Sequence, residues 1–222
     1  MITLLEVDNV SVSFDGFKAV NNLSFTIGYN ELQAIIGPNG AGKTTFMDII
    51  TGQTKPDSGN ILWGEKSTNL IKKNETEIAL LGIGRKFQKP TVFENKSLIQ
   101  NLILSQKKNR NPFNVLFQRN SEYDIKNIIK ILKDINLFKI KDKRAGDISH
   151  GQKQWLEIGM LLTQNPKLLL VDEPAAGMTP NERNQTVQIL KKLSKFSSII
   201  VVEHDMEFVR NLNCRVTVLN EG

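Results

Sequence analysis

The sequence has little that would tie the protein to an oxidising compartment or hold it in a membrane. Its single cysteine, Cys214, cannot form an internal disulfide, which favours a reducing compartment. Its unbroken apolar runs, such as residues 199–202, are far shorter than the ~20 residues of a membrane-spanning helix. The first residues also lack the basic start and apolar core of a secretory signal. We therefore expect a protein that does not cross a bilayer by itself and is not secreted.

An excess of one charge is also modest. Lysine and arginine number 29 against 23 acidic residues, which gives a net charge of +6 in 222 residues. Such a charge would fit nucleic acid or anionic lipid as a partner. The lysines are scattered, however, and the densest patch, residues 107–110, lies in a polar stretch typical of a solvated loop. We expect no nucleic-acid partner, and the length suits one sizeable α/β domain.

A glycine-rich stretch lies between two apolar runs, an order typical of strand, loop and helix. It consists of Gly37, Pro38, Asn39, Gly40, Ala41, Gly42, Lys43, Thr44 and Thr45. Its Gly-x-x-x-x-Gly-Lys-Thr spacing predicts a phosphate-binding loop, because glycines let backbone N–H groups converge on phosphate at a helix N-terminus. Lys43 would reach the β- and γ-phosphates of a nucleotide, and the Thr44 hydroxyl would bind Mg²⁺. A plain glycine-rich turn is the alternative.

Two adjacent carboxylates, Asp172 and Glu173, follow the apolar run of residues 167–171. This run predicts a parallel strand buried on both faces, and ligands bind at the carboxyl edge of such sheets. Asp172 would hold Mg²⁺ there, and Glu173 would position and deprotonate an attacking water. Without the glycine-rich loop, the same pair would read as a surface turn.

The remaining pattern predicts an α/β fold with a mostly parallel sheet core. Short β-type runs near the start predict an N-terminal antiparallel β-layer, and apolar residues at helical spacings predict an inserted helical subdomain. We expect residues 1–90 and 161–222 to form the nucleotide-binding core and residues 91–160 to form the helical subdomain. The last predicted strand, residues 215–219, needs a hairpin partner, so we expect further sequence beyond it.

A third element, Ser149, His150, Gly151 and Gln152, precedes another predicted helix. Ser149 suits the N-cap, and Gly151 would let the backbone approach a ligand such as phosphate. With the two motifs above, this element resembles the signature of the ATP-binding cassette, or ABC, ATPases, whose usual form is Leu-Ser-Gly-Gly-Gln. The resemblance extends over essentially the whole chain. It implies the P-loop ABC ATPase fold, with Ile148 and His150 as departures from the usual signature.

The resemblance implies roles that the residues alone do not reveal. Phe14 resembles the aromatic residue that stacks on adenine, with Phe17 as the weaker candidate; alone, Phe14 would favour a core position. Gln88 resembles the glutamine that reaches Mg²⁺ and the attacking water. His204 resembles the histidine that contacts the γ-phosphate, although a lone histidine after a strand is more often structural.

The resemblance also implies a dimer, of two copies or of two related chains, that closes head to tail on two ATP molecules. Each ATP would lie between Lys43 of one subunit and Ser149, Gly151 and Gln152 of the other. The partners would be two membrane permease subunits and, indirectly, an external solute-binding protein. The ATPase would then sit at the cytoplasmic face of the inner or plasma membrane. Thr179 stands where the family usually has aspartate, which puts aspartate-mediated coupling of the two sites in doubt.

Two further stretches resemble one branch of the family. The pattern at residues 172–178 resembles that of ATPases that serve importers of branched-chain amino acids and their relatives. The pattern at residues 84–94 resembles that of urea-importer ATPases most. We therefore expect a urea importer, with a branched-chain amino acid or other amide importer as the alternative. A translation factor would carry two cassettes and a chromosome ATPase a long coiled coil, and neither fits this sequence. A catalytically silent subunit is disfavoured by Glu173 and His204.

Overall fold

The computed structural model describes residues 2–86, 91–106 and 122–222, without the side chains of residues 122 and 123. The strands in this part of the chain are β1 (Thr3–Phe14), β2 (Phe17–Gly28), β3 (Leu32–Ile36), β4 (Ser58–Trp63), β5 (Thr68–Asn69), β6 (Ile83–Lys86), β7 (Leu168–Asp172), β8 (Ser198–Val202) and β9 (Arg215–Val218). The α-helices are α1 (Lys43–Thr51), α2 (Glu75–Leu80), α3 (Leu98–Ser105), α4 (Glu122–Asp134), α5 (His150–Leu162), α6 (Pro180–Leu193) and α7 (Met206–Leu212).

The centre of the fold is a five-stranded parallel sheet with the strand order β6-β7-β8-β3-β9. Every residue of β7 and β8 is buried, which matches the four consecutive apolar residues in each strand. Because the strands are parallel, their carboxyl ends lie at one edge. The loops that follow β3, β7 and β8 therefore meet there.

The second sheet is antiparallel, with the strand order β2-β1-β4-β5. β1 and β2 form a hairpin whose turn is Asp15-Gly16, with positive φ at both positions (47° and 84°). An Asp-Gly turn of this kind matches the twist of paired strands. The predicted N-terminal antiparallel layer is confirmed.

Helices α3, α4 and α5 pack together over a cluster of buried apolar side chains that also covers one face of the parallel sheet. Their close approach requires Gly159 in α5, since a Cβ there would lie 2.5 Å from Ile135 Cδ1 and 3.2 Å from Leu102 Cδ2. No helix within the described ranges is both long and apolar enough to cross a membrane.

Sequence reasoning missed α2, β6 and α7. The stretch that forms β6 has no strand pattern, because Gly84, Arg85 and Lys86 do not make an apolar run. Lys86 is nevertheless buried, and its ammonium lies 3.8 Å from the carboxylate of Glu157 on α5. A charge that is offset by a residue far along the chain hides a strand from pattern reading.

Candidate nucleotide-binding site

Three neighbouring strands bring the predicted catalytic residues to one edge. Gly37 follows β3, Glu173 follows β7, and His204 lies just after β8, the strand between them. The resulting separation of His204 Nδ1 and Glu173 Oε1 is 3.6 Å. The topology therefore joins the glycine-rich loop, the acidic pair and the histidine, which are widely separated in sequence.

The glycine-rich loop closes tightly around the start of α1. Gly42 is the N-cap, with φ at 91°, and a Cβ at this position would lie 2.5 Å from the carbonyl oxygen of Ala19. Only glycine meets both demands without strain. The Lys43 ammonium donates to the carbonyl oxygens of Gly37 and Pro38, at 2.8 Å each. The loop thus holds its lysine beside the helix N-terminus.

The start of α1 fits an anion from outside the chain. Helices α2, α3, α5 and α6 begin with a capping box, and Asp205 caps α7. By contrast, no side chain caps α1. Its first-turn N–H groups therefore lack the side-chain acceptor that the N-caps of these five helices supply. With Lys43 alongside, this end of the helix suits phosphate.

Asp172 is a carboxylate in a setting that favours a cation. Burial raises its pKa, the Arg85 guanidinium opposes this shift, and the neighbouring Glu173 carboxylate adds to it. Arg85 Nη2 lies 3.9 Å from Asp172 Oδ2, and Arg85 also pairs with Asp48 of α1. No three histidine, cysteine or acidic side chains converge as a metal site among the described residues. Mg²⁺ that arrives with phosphate ligands usually needs only one or two carboxylates from the protein, and a lone carboxylate such as Asp172 suits that role.

Glu173 and His204 face each other with their side chains partly open to solvent. The Glu173 side chain is 29% exposed and that of His204 is 63% exposed. Glu173 has a left-handed backbone, with φ at 45°, and its N–H donates to the Val202 carbonyl at 2.9 Å. Such strain is typical of functional loops and persists where the surroundings fix it. A water and a terminal phosphate could reach both side chains.

Glu203 is a residue of this site that sequence reasoning missed. Its side chain is buried, and Oε1 accepts a hydrogen bond from the Ala175 N–H at 2.9 Å. Oε2 accepts from the N–H groups of His204 and Asp205, at 2.9 and 3.1 Å. One carboxylate thus links the loop that carries Glu173 to the loop that carries His204. The available signal was an acid placed directly after the apolar residues 199–202.

The signature element meets a second acidic residue. Ser149 caps α5 by accepting from the Gln152 N–H at 3.2 Å, and its hydroxyl donates to Glu182 Oε1 at 2.6 Å. Glu182 lies in the first turn of α6, where it forms a capping box with Thr179. A Cβ at Gly151 would lie 2.8 Å from Glu182 Cδ. The space above Gly151 is therefore filled by a carboxyl group of the same chain.

His150, the departure from the usual signature, contacts the segment before α6. Its Nε2 lies 2.9 Å from Gln154 Nε2, and a Cβ at Gly177 would lie 3.4 Å from the imidazole ring. Gly177 has φ at 68°, so a glycine suits both the backbone and the ring above it. His150 therefore adds a second contact between the signature element and residues 176–179.

Glu157, in the middle of α5, holds residues on both sides of a short segment. Its carboxylate accepts from Thr91 Oγ1 at 3.2 Å and also from the Thr91 N–H, and it lies near Lys86. Burial raises the pKa of Glu157 and lowers that of Lys86. The intervening Gln88 lies outside the described residues, as does the basic patch at 107–110.

The predicted adenine contact is an exposed side chain. Phe14 is 48% exposed and Phe17 is 66% exposed, so neither is a core residue. They pair across the closed end of the β1–β2 hairpin, and Ala19, further along β2, lies against Gly42. β2 therefore passes close to the glycine-rich loop at Ala19, two positions after Phe17, and the stacking role stays a prediction.

Comparison with known proteins identifies the family. Residues 20–176 match the family model described as ABC transporter. The chain belongs to the ABC transporter family. It is 31% identical, over 99% of its length and 87% of the relative's, to a probable branched-chain amino acid transport ATP-binding protein of Methanocaldococcus jannaschii. It is 32% identical to the high-affinity counterpart of Salmonella typhimurium, with 99% and 89% coverage.

Solved structures give the same result for the fold of this ABC ATPase. It resembles the ADP conformation of an ABC transporter cassette with a TM-score of 0.84 at 29% identity, covering 100% of this chain and 89% of the other. A Clostridium perfringens cassette, part of an ABC transporter complex, has a TM-score of 0.85 at 30% identity, with 100% and 86% coverage. The predicted α/β fold class and the ATPase assignment are confirmed.

Proposed function

We propose that this ATPase is the energising subunit of an ABC importer and that it hydrolyses ATP at the edge formed by β3, β7 and β8. The observation that carries the proposal is the juxtaposition of Lys43, Glu173 and His204 after three neighbouring strands. A phosphate-binding element and a candidate base then face one volume. Such an arrangement suits in-line transfer of a phosphoryl group to water.

In this proposal, the N–H groups of residues 40–45 and the Lys43 ammonium bind the β- and γ-phosphates. Glu173 accepts a proton from a water molecule as the oxygen of that water bonds to the γ-phosphorus. The bond from that phosphorus to the bridging oxygen breaks, and ADP leaves. His204 donates toward a γ-phosphate oxygen. Thr44, Gln88 and Asp172 would hold Mg²⁺, which neutralises phosphate charge when it is bound.

The second half of each site belongs to another subunit. Ser149 lies at the exposed start of α5, and we assign it, with Gly151 and Gln152, to ATP held by the Lys43 loop of a partner cassette. The adenine would stack on Phe14. Closure and opening of the ATPase dimer would move two permease subunits. An external binding protein would deliver the solute to them, and the ATPase would lie on the cytoplasmic face of the membrane.

The cargo is best assigned from the relatives. Those named above are described as ATP-binding proteins of branched-chain amino acid transport, which supports that alternative better than urea. We infer a branched-chain amino acid or similar solute. Uptake of labelled leucine and labelled urea by a strain that lacks this chain, with and without its return, tests this choice. Restored urea uptake alone would reverse it.

The hydrolytic assignment is tested with Glu173→Gln. Steady-state ATP hydrolysis should fall at least ~100-fold, since general-base catalysis contributes about 10²–10⁴-fold. ATP binding and ATP-dependent dimerisation should survive, because the amide keeps the shape of the side chain. Glu207→Gln, an exposed substitution in the first turn of α7, is the control. Unchanged hydrolysis in Glu173→Gln would remove Glu173 from the reaction.

A further inference from the structure

The Glu182 carboxylate accepts hydrogen bonds from the signature element and from Thr179, the N-cap of α6. Oε1 accepts from Ser149 Oγ at 2.6 Å. Oε2 accepts from the Thr179 N–H at 3.0 Å and from Thr179 Oγ1 at 2.8 Å. These hydrogen bonds, led by the one from Ser149, lower the pKa of Glu182, so the group is an anion at neutral pH.

The Ser149 hydroxyl has one proton, and that proton is directed at Glu182. Its oxygen simultaneously accepts the capping hydrogen bond from Gln152. A hydroxyl in this state cannot donate to a phosphate until it leaves the carboxylate. The carboxyl carbon also fills the space above Gly151. A second anion at this position would meet both a steric and an electrostatic barrier.

We propose that Glu182 is a positioning residue. In the unpaired subunit, its carboxylate occupies the position beside Ser149 and Gly151 that the γ-phosphate of the partner's ATP takes in the closed dimer. The γ-phosphate displaces this carboxylate as the two subunits close. This inference rests on the proposed function, which assigns Ser149 to the partner's ATP. Closure then exchanges one anion for another at Ser149. ADP, which lacks the γ-phosphate, has no group to complete the exchange, and Glu182 sets how much ATP closure requires.

An ordinary helix cap is the competing explanation, and the chain contains a matched example. Glu77 occupies the same third position of a capping box at the start of α2, with Asn74 as its N-cap. Its other partner is the ammonium of Lys73, at 2.9 Å. If Glu182 did no more than cap α6, neutralising Glu77 or Glu182 would have the same small consequence for dimer formation.

The test measures ATP-dependent dimerisation by analytical ultracentrifugation in full-length Glu173→Gln protein, where hydrolysis is blocked. Glutamine at position 182 keeps the capping geometry but weakens the hydrogen bond from Ser149, because charge-assisted bonds are about twice as strong as neutral ones. Glu182→Gln should lower the ATP concentration for half-maximal dimerisation about fivefold. Glu77→Gln should leave it unchanged, and ATP affinity of the monomer should be the same in all three proteins.

A second variant separates the effect of the Ser149–Glu182 hydrogen bond from an effect on folding. Glu182→Asp keeps the charge near Thr179 but is one methylene too short to reach Ser149, so it should also lower the ATP requirement. An unchanged or raised requirement in both Glu182 variants, with dimers still forming, would overturn the role of Glu182 and leave the proposed function standing. Failure of the Glu173→Gln parent to dimerise with ATP would overturn both.

Discussion

The Glu203 carboxylate lies 2.9 Å from the Ala175 N–H and so joins two loops that carry the proposed chemistry. We expect Glu203→Gln to lower the free energy of unfolding by about 2–3 kcal/mol, because an amide turns a donor toward backbone N–H groups that need an acceptor. Hydrolysis should also fall at least about tenfold, since a ~1.4 kcal/mol change in barrier gives that factor.

Two measurements distinguish positioning from folding in this variant. Chemical denaturation gives the stability, and kcat and KM for ATP, measured where the variant is fully folded, give the catalytic effect. A fall in kcat with little change in ATP affinity would support alignment of Glu173 and His204. A variant with wild-type kcat would restrict Glu203 to stability.

The loop glycines make unequal demands, which a pair of alanine substitutions can compare. Gly42→Ala places a methyl group against the Ala19 carbonyl at a φ of 91°, whereas Gly16→Ala, at a φ of 84°, meets no atom within 4 Å. We expect a loss of about 1 kcal/mol for Gly16→Ala and about 3 kcal/mol for Gly42→Ala. Thermal unfolding of both variants checks this, and equal losses would show that the contact relaxes freely.

Much of the fold could be predicted because its central strands are locally unambiguous. β7 and β8 are apolar runs, α6 begins with a visible capping box, and the glycine-rich loop lies between a strand and a helix. The contacts that organise the site are not local. Ser149 and Glu182 are 33 positions apart, and each reads as an ordinary helix cap until the fold sets them face to face. Glu203 likewise carries no pattern of its own.

Asp172 should make stability depend on pH in Mg²⁺-free buffer. Its folded-state pKa is raised by burial, so ionisation opposes folding. This cost is absent below the unfolded value of about 4 and grows as pH rises through the folded value. Asp172→Asn, which removes the charge, should therefore be more stable than the parent at pH 7 and lose that advantage near pH 4. Urea unfolding at several pH values measures the difference, and a constant difference would contradict it.

The single cysteine offers a probe without background. Burial raises the pKa of the Cys214 thiol, and alkylation proceeds through the thiolate. We expect the rate of reaction with iodoacetamide to reach its midpoint at a higher pH in the folded protein than in urea. Cys214→Ser should take up no label. Identical pH profiles in folded and unfolded protein would exclude an effect of burial.

Helix α5 makes contacts at two separate places, at its N-cap and at Glu157 in its middle. Glu157 contacts Lys86 and Thr91, which bound the segment that contains Gln88, while Ser149 lies eight positions earlier in the chain, at the N-cap of α5. At 1.5 Å per residue, that is about 12 Å along one rigid rod. If a partner subunit tilts α5 at Ser149, we expect the contacts of Glu157 with Lys86 and Thr91 to shift with it. In the proposed dimer, this one helix would therefore connect the contact of Ser149 with the partner's ATP to the residues that border 87–90.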